Sequence, residues 1–332
     1  MSNNFDPKGS FIELDSKIFP ISKNFSYTCN DAQSCFLHEY LHYIQDSSTY
    51  YGVKYKSDLI DNCVEKNVSG VKQLNAGFCI GMRSIFPYTF AVNNYKFFLN
   101  NDVLGGISVK ENMAVMAQHI VYKTVLLNRP AFYYEISEYI KDQTSCTDSF
   151  SCFVIEDCSL MSEDPGKAII TLCNKLQNVK SINTLNDCHE LYDNCYEILK
   201  NNDLLRDIST FKLDNVKYCE NLMAHIGGLM YGKRSISGKE EDDLTKVCQC
   251  IATSYENNMK KRRENKYIIG DALLNLKNSK DISKLIDVFG MPFIIEEGNK
   301  SNNKDFFIKS LVLCVLDKLC CVLKNIKTRF FT

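Results

Sequence analysis

The feature that most constrains this chain is a segment near its N-terminus that carries two histidines four residues apart. The segment covers residues 30–46 and contains the run His38-Glu39-Tyr40-Leu41-His42. No Pro or Gly interrupts it, and Asn30 or Asp31 can cap its first turn. Positions i and i+4 of an α-helix lie on one face. The pattern therefore predicts a helix that can place two imidazole ligands around one metal ion.

The predicted helix has an apolar and a polar side. At about 100° per residue, the apolar side chains fall in one arc of roughly 160°; they are Phe36, Leu37, Tyr40, Leu41, Tyr43 and Ile44. The opposite arc holds His38, Glu39, His42, Gln45 and Asp46. Such a helix suits the wall of a polar cleft, where Asp46 could accept the second N–H of His42. The alternative is a solvated face, with Gln45 and Asp46 in water.

Composition describes an ordinary globular protein of 332 residues, enough for one large domain or two smaller ones. The net charge of −1 gives no indication of a nucleic-acid or anionic-membrane partner. The sixteen cysteines are scattered without a Cys-x-x-Cys pair, and residues 1–6 lack a signal-like region. We therefore predict reduced cysteines in a cytoplasmic protein. Charges within the most apolar stretch, residues 306–323, favour a buried helix over a membrane span.

The fold is predicted to be mainly α. A few short strands are expected within residues 10–28, followed by the histidine helix, a buried helix over residues 107–122 and another around residues 132–140. Further helices are predicted over roughly 150–162, 166–177, 183–200, 212–231, 239–262, 268–288 and 304–327. The polar stretch 141–149 suggests a metal-binding lobe over residues 1–145 and a helical C-terminal lobe over residues 146–332, which could also form one continuous domain.

A carboxylate in the predicted helix 107–122 is the candidate third ligand. Catalytic zinc commonly has three protein ligands and one open position. Glu111 is anomalous in a largely apolar helix, because a buried carboxylate needs a cation or strong hydrogen bonds. A salt bridge to Lys or Arg is the alternative for Glu111. His119 and Glu135 are other ligand candidates, although His119 points about 80° away from Glu111 on the helical wheel.

Two short runs together resemble a known family. His38-Glu39-Tyr40-Leu41-His42 followed by Glu111-Asn112-Met113-Ala114 resembles the zinc-dependent metallopeptidases with a glutamate third ligand, the gluzincin-type zincins. The amino-acid sequence around the first run is similar to that of a set of poorly characterised bacterial proteins. The resemblance covers residues 30–50 and 105–122. It implies a zincin-like lobe, Glu39 as general base, and Zn²⁺ bound by His38, His42 and Glu111.

The chain also departs from the patterns of such enzymes. A metzincin-like continuation would place Gly at 45 and His at 48, where this chain has Gln45 and Ser48. The gap between His42 and Glu111 is longer than in compact gluzincins, which implies an insertion or another lobe. No residue is a secure match for the oxyanion-stabilising His or Tyr of that family. The candidates for that role or for supporting the ligands, besides Asp46, are Gln118, His119, Tyr122, Tyr133, Tyr134 and His225.

The resemblance implies a zinc-dependent hydrolase. Its simplest form is a cytoplasmic metallopeptidase in which a zinc-activated water attacks a protein or peptide substrate, with Glu39 as general base. The helical C-terminal half could restrict substrates or bind a regulatory protein partner. One alternative is a zinc hydrolase that acts on a non-peptide bond. Another is a non-catalytic helical interaction protein whose histidine face is a structural or regulatory metal site.

Overall fold

The predicted α character is confirmed by the computed structural model, which is mainly helical. It describes residues 4–6, 11–15, 30–55, 89–92, 95–98, 104–123, 134–211, 218–220, 238–290 and 293–297. The predicted helix 304–327 and most of residues 212–231 and 16–28 lie outside this part of the chain.

Helices account for most of the described residues. They are α1 Asn30–Ser48, α2 Leu104–Tyr122, α3 Glu135–Thr144, α4 Ser149–Ser159, α5 Pro165–Lys175, α6 Leu185–Asn201, α7 Gly238–Glu264, α8 Ile268–Ser279 and α9 Ser283–Phe289. Residues 50–55 are also helical, and Ile208–Thr210 form a 3₁₀ turn. The strands are β1 Asn4–Asp6, β2 Phe11–Asp15, β3 Thr89–Val92, β4 Tyr95–Phe98 and β5 Phe293–Glu297.

The strands form two small sheets. In the first, β2 pairs antiparallel with β1 and parallel with β5, with Ile12 opposite both Phe5 and Ile294. In the second, β3 and β4 form an antiparallel pair with Thr89 opposite Phe98. The parallel pairing brings a segment from near residue 295 beside the N-terminal strands, a long-range contact that no local pattern encodes.

Helix α1 is buried on all sides, because α2 and α7 pack against it. Its apolar residues Phe36, Tyr40 and Ile44 are fully buried, as the helical pattern predicts. The alternative of a solvated polar face is wrong, since Gln45 and Asp46 are also 0% exposed. Buried polar side chains need hydrogen-bond partners within the protein, so the polar face of α1 is a candidate functional site.

One apolar core cluster extends over residues from both predicted lobes. It contains Tyr43 of α1 and Tyr255 of α7, whose rings meet edge to face at 5.9 Å. It also contains most of the buried residues of α2, α4, α6 and α8. The histidine helix is thus held by elements from the C-terminal half of the chain. The division at residue 145 stays a prediction.

Two details differ from the sequence-based expectations. The predicted helix 268–288 is two helices, because Lys280 adopts a left-handed conformation (φ 54°) and ends α8. A run of four basic residues such as 260–263 is typical of a solvated surface, but the Arg262 side chain is fully buried. The ten described cysteines are all free, in line with the prediction for them. No helix in the described part of the chain is both long and apolar enough to cross a bilayer.

Candidate metal centre

Helices α1 and α2 pack side by side in opposite directions. Near the end of α1, the amide of Gln45 donates to the Lys110 carbonyl at the start of α2 (3.0 Å). Near the start of α1, Ser34 accepts from the amide of Gln118, which lies towards the end of α2 (2.8 Å to its carbonyl and 3.0 Å to its hydroxyl). These two contacts fix the register of the helix pair and bring Glu111 opposite the histidine face.

Three side chains meet between the two helices. His38 Nε2 lies 3.2 Å from Glu111 Oε2, and His42 Nε2 lies 3.4 Å from Glu111 Oε1. The two Nε2 atoms are 3.3 Å apart, with the imidazole rings perpendicular. Within the described residues, these three offer ligand atoms that all lie within 4.8 Å of one another. The group could hold a metal ion, and the two runs that sequence analysis linked do lie together in space.

The cluster is buried, but not uniformly. The side chains of His38 and His42 are 10% and 8% exposed, whereas that of Glu111 is 25% exposed. Residue Glu39 is 7% exposed. The carboxylate side of the cluster is therefore its more open side, which is where a further ligand or a substrate would enter.

Charge complementarity within the cluster is strong. Burial by itself would raise the pKa of Glu111, but the His42 and His38 imidazoles hold it well below its usual value. Burial would lower the pKa of His42, but the carboxylates of Glu111 and Glu39 outweigh burial and raise it. Among the described residues, Glu111 pairs with His38 and His42 rather than with Lys or Arg, and the neighbouring cation, Lys110, pairs with Asp46.

No family model matches the chain, and no curated protein and no solved structure is detectably similar to it. The roles of the clustered residues therefore depend on their geometry and chemistry in this chain. The likeness to gluzincins stays a likeness of two short sequence runs.

The residue that contacts the second nitrogen of His42 is Gln45, not Asp46. His42 Nδ1 lies 3.0 Å from Gln45 Oε1, and both side chains are buried. The prediction for Asp46 is wrong because that carboxylate forms a buried ion pair with the Lys110 ammonium. Gln45 does belong to the polar arc of α1 that the sequence predicts. The i+3 spacing from His42 was the available signal for its contact.

The three other candidate residues on α2 lie away from the cluster. At 1.5 Å per residue, Gln118, His119 and Tyr122 are about 10, 12 and 16 Å along the helix axis from Glu111. Gln118 contacts Ser34, and the buried Tyr122 hydroxyl has no hydrogen-bond partner within the described part of the chain. This axial distance, rather than the wheel angle, separates them from the site.

The remaining candidates lie on other segments. Tyr134 stands immediately before α3, where its carbonyl accepts from the Ser137 hydroxyl (2.9 Å). Tyr133 and His225 lie outside the described residues, as does the side chain of Glu135.

Proposed function

We propose that this protein is a zinc-dependent hydrolase, with a peptide or protein as its substrate. The observation that carries the proposal is the convergence of two imidazole nitrogens and one carboxylate from antiparallel helices. This convergence joins the two runs on which the resemblance to gluzincin-type zincins depends. The proposal assigns His38, His42 and Glu111 as ligands and Glu39 as the general base.

The spacing and the chemistry of the three ligands both suit zinc. Two ligand atoms about 2.05 Å from a tetrahedral zinc ion lie about 3.3 Å apart. The two imidazole nitrogens are 3.3 Å apart, and they lie 3.2 Å and 3.4 Å from the two different oxygens of the Glu111 carboxylate. Two imidazoles disfavour Mg²⁺ and Ca²⁺, which take oxygen ligands. Three protein ligands also leave a tetrahedral ion one position for water or substrate.

Each residue of the proposed site would have its own role in hydrolysis. When bound, zinc supplies a Lewis acid that polarises a carbonyl and lowers the pKa of its water ligand to near neutrality. Glu39 follows His38 directly, so its carboxylate can take the proton of the attacking water and deliver it to the leaving amine. The low exposure of Glu39 and both histidines excludes bulk water, which strengthens charge interactions during the reaction.

Partners and location belong to the same proposal. Free cysteines throughout the described residues suit a reducing compartment such as the cytoplasm. A net charge of −1 favours no polyanionic partner, so neither nucleic acid nor a membrane surface is proposed. The helical C-terminal half is the part of the chain that could restrict substrate entry or receive a regulatory protein.

The experiment that tests the proposal compares zinc-loaded wild type with Glu39→Gln on a mixed library of quenched fluorogenic peptides. We expect wild type to cleave members of the library and Glu39→Gln to lose roughly 10²–10⁴-fold in kcat/KM, the usual worth of a general base. Zinc content should be the same in both. Glu138→Gln, the same change at an exposed position of α3, is the matched control and should keep full activity.

Two outcomes would contradict the assignment. Undiminished cleavage by Glu39→Gln would reject Glu39 as the base. A wild type that binds zinc but cleaves no peptide would reject the peptidase. Hydrolysis of esters or other non-peptide bonds by that protein would then indicate the non-peptide hydrolase. No hydrolysis at all would favour the helical interaction protein with a structural or regulatory metal.

A further inference from the structure

Gln45 occupies an unusual place beside the candidate metal centre. It is 0% exposed and lies between α1 and α2. Its amide nitrogen donates to the Lys110 carbonyl at 3.0 Å, and its amide oxygen lies 3.0 Å from His42 Nδ1. One side chain thus joins a candidate ligand on α1 to the backbone of the residue that precedes Glu111 on α2.

The chemistry of these two contacts determines where the protons are. A backbone carbonyl can only accept, so the group of Gln45 that faces Lys110 must be its NH₂. The other end of the amide is then its oxygen, which also can only accept. His42 must therefore carry its proton on Nδ1 and donate it to Gln45. The lone pair of the neutral imidazole then lies on Nε2, the atom that faces His38 and Glu111.

We propose that Gln45 is the positioning residue of this site. It holds His42 in the Nδ1–H tautomer, fixes the plane of the ring, and ties both to the start of α2 next to Glu111. The role rests on the proposed metal centre, but the tautomer is a property of the metal-free protein as well. An amide does this without adding a further negative charge beside His42, which already has the carboxylates of Glu111 and Glu39 nearby.

A second buried glutamine separates positioning from simple packing. Gln118 also bridges α1 and α2, and its amide also donates to a backbone carbonyl, that of Ser34. The structure places it about 10 Å along α2 from Glu111 and shows it bonded to Ser34 rather than to an imidazole. Loss of either amide should weaken the helix pair to a similar degree, whereas loss of Gln45 alone should release His42.

The test compares Gln45→Met with Gln118→Met in the full-length chain. Zinc affinity is measured by competition with a chromophoric chelator, and unfolding in urea reports stability. Loss of such a support for a metal-bound His usually costs 10–100-fold in affinity. We therefore expect Gln45→Met to bind zinc roughly 10–100-fold more weakly. Gln118→Met should stay within about threefold of wild type despite a similar loss of stability, since it leaves the ligand supports intact.

The second measurement is the tautomer of His42 in the metal-free proteins, read by ¹⁵N NMR of the histidine-labelled chain at an alkaline pH where the imidazole is neutral, with His42→Asn as the assignment reference. Wild type and Gln118→Met should show Nδ1–H. Gln45→Met should show a mixture or Nε2–H. Gln45→Glu should restore Nδ1–H, because it keeps an acceptor oxygen. Gln45→Asn, which is too short to reach both partners, replaces the methionine variant if that protein does not fold.

The outcomes distinguish this inference from the proposed function. Retention of Nδ1–H in Gln45→Met, or an equal loss of zinc affinity in Gln118→Met, would overturn the positioning role. Failure of wild type to bind zinc would reject the metal centre. In that case the tautomer measurement still decides whether Gln45 orients His42.

Discussion

At the scale of single residues, the buried polar groups of the described part of the chain differ in whether they have a hydrogen-bond partner. Around the candidate metal centre, Gln45, Asp46 and Lys110 each have a partner close by. In α4, by contrast, both oxygens of Glu156 are fully buried and have no hydrogen-bond partner among the residues that the structure describes. A carboxylate in that setting can be tolerated only if it is uncharged. Burial raises its pKa well above the model-peptide value of 4.5, and the charge of Lys141 offsets only part of this.

We predict that Glu156 makes the native state less stable as pH rises. Its folded pKa is raised, so the stability that the uncharged form contributes is complete below the unfolded pKa near 4.5 and is lost as pH increases towards the folded pKa. Within that window, each pH unit should cost wild type up to about 1.4 kcal/mol. Glu156→Gln should abolish this slope in urea unfolding at a series of pH values. Glu190→Gln, the same change at an exposed position, should retain the loss of stability with pH. If Glu156→Gln lost stability with pH as steeply as wild type does, the assignment to Glu156 would be wrong.

At the scale of secondary-structure elements, a buried ion pair joins three helices. Arg262 of α7 donates to Asp157 of α4 at 2.7 Å, and Tyr192 of α6 donates to the same carboxylate oxygen at 2.6 Å. Both members of the ion pair have 0% exposed side chains. Removing one partner from such a pair leaves an uncompensated charge in the core, which costs much more than the pair contributes.

We predict that Arg262→Met lowers the free energy of unfolding by about 3–5 kcal/mol, because Asp157 is left unpaired. Its neighbour Arg263 is exposed, so Arg263→Met should change stability by less than about 0.5 kcal/mol. The double variant Arg262→Met/Asp157→Leu should recover most of the loss. Chemical denaturation measures all three, and equal effects of the two arginine variants would show that the pair is unimportant.

The elements also show how far sequence reasoning extends. The periodicity of residues 36–44 predicted the apolar back of α1, and the polar arc contained the residues that meet Glu111. That arc is buried rather than solvated because α2 covers it, and helix pairing is a long-range contact. Whether Gln45 or Asp46 contacts His42 depends on the position of Lys110 on α2, which pairs with Asp46 across the α1–α2 interface. The break at Lys280 was missed because a single left-handed residue leaves the apolar period unchanged.

At the scale of the whole molecule, metal binding and stability are linked. The three ligands come from helices whose relative placement exists only in the folded chain, so zinc should bind the native state in preference to the unfolded one. Free zinc at 100 times its dissociation constant should stabilise wild type by about 2.7 kcal/mol. We expect the urea midpoint to rise with zinc in wild type and to be unchanged in Glu111→Ala. An equal rise in both proteins would place the zinc elsewhere.

The central claim is that His38, His42 and Glu111 together bind one divalent ion. The most direct test is elemental analysis of purified wild type and Glu111→Ala after dialysis against metal-free buffer. If the proposed site binds zinc, we expect one zinc ion per wild-type chain and almost none in the variant, with both proteins folded. Wild type without bound metal, or equal zinc in the two proteins, would contradict the claim.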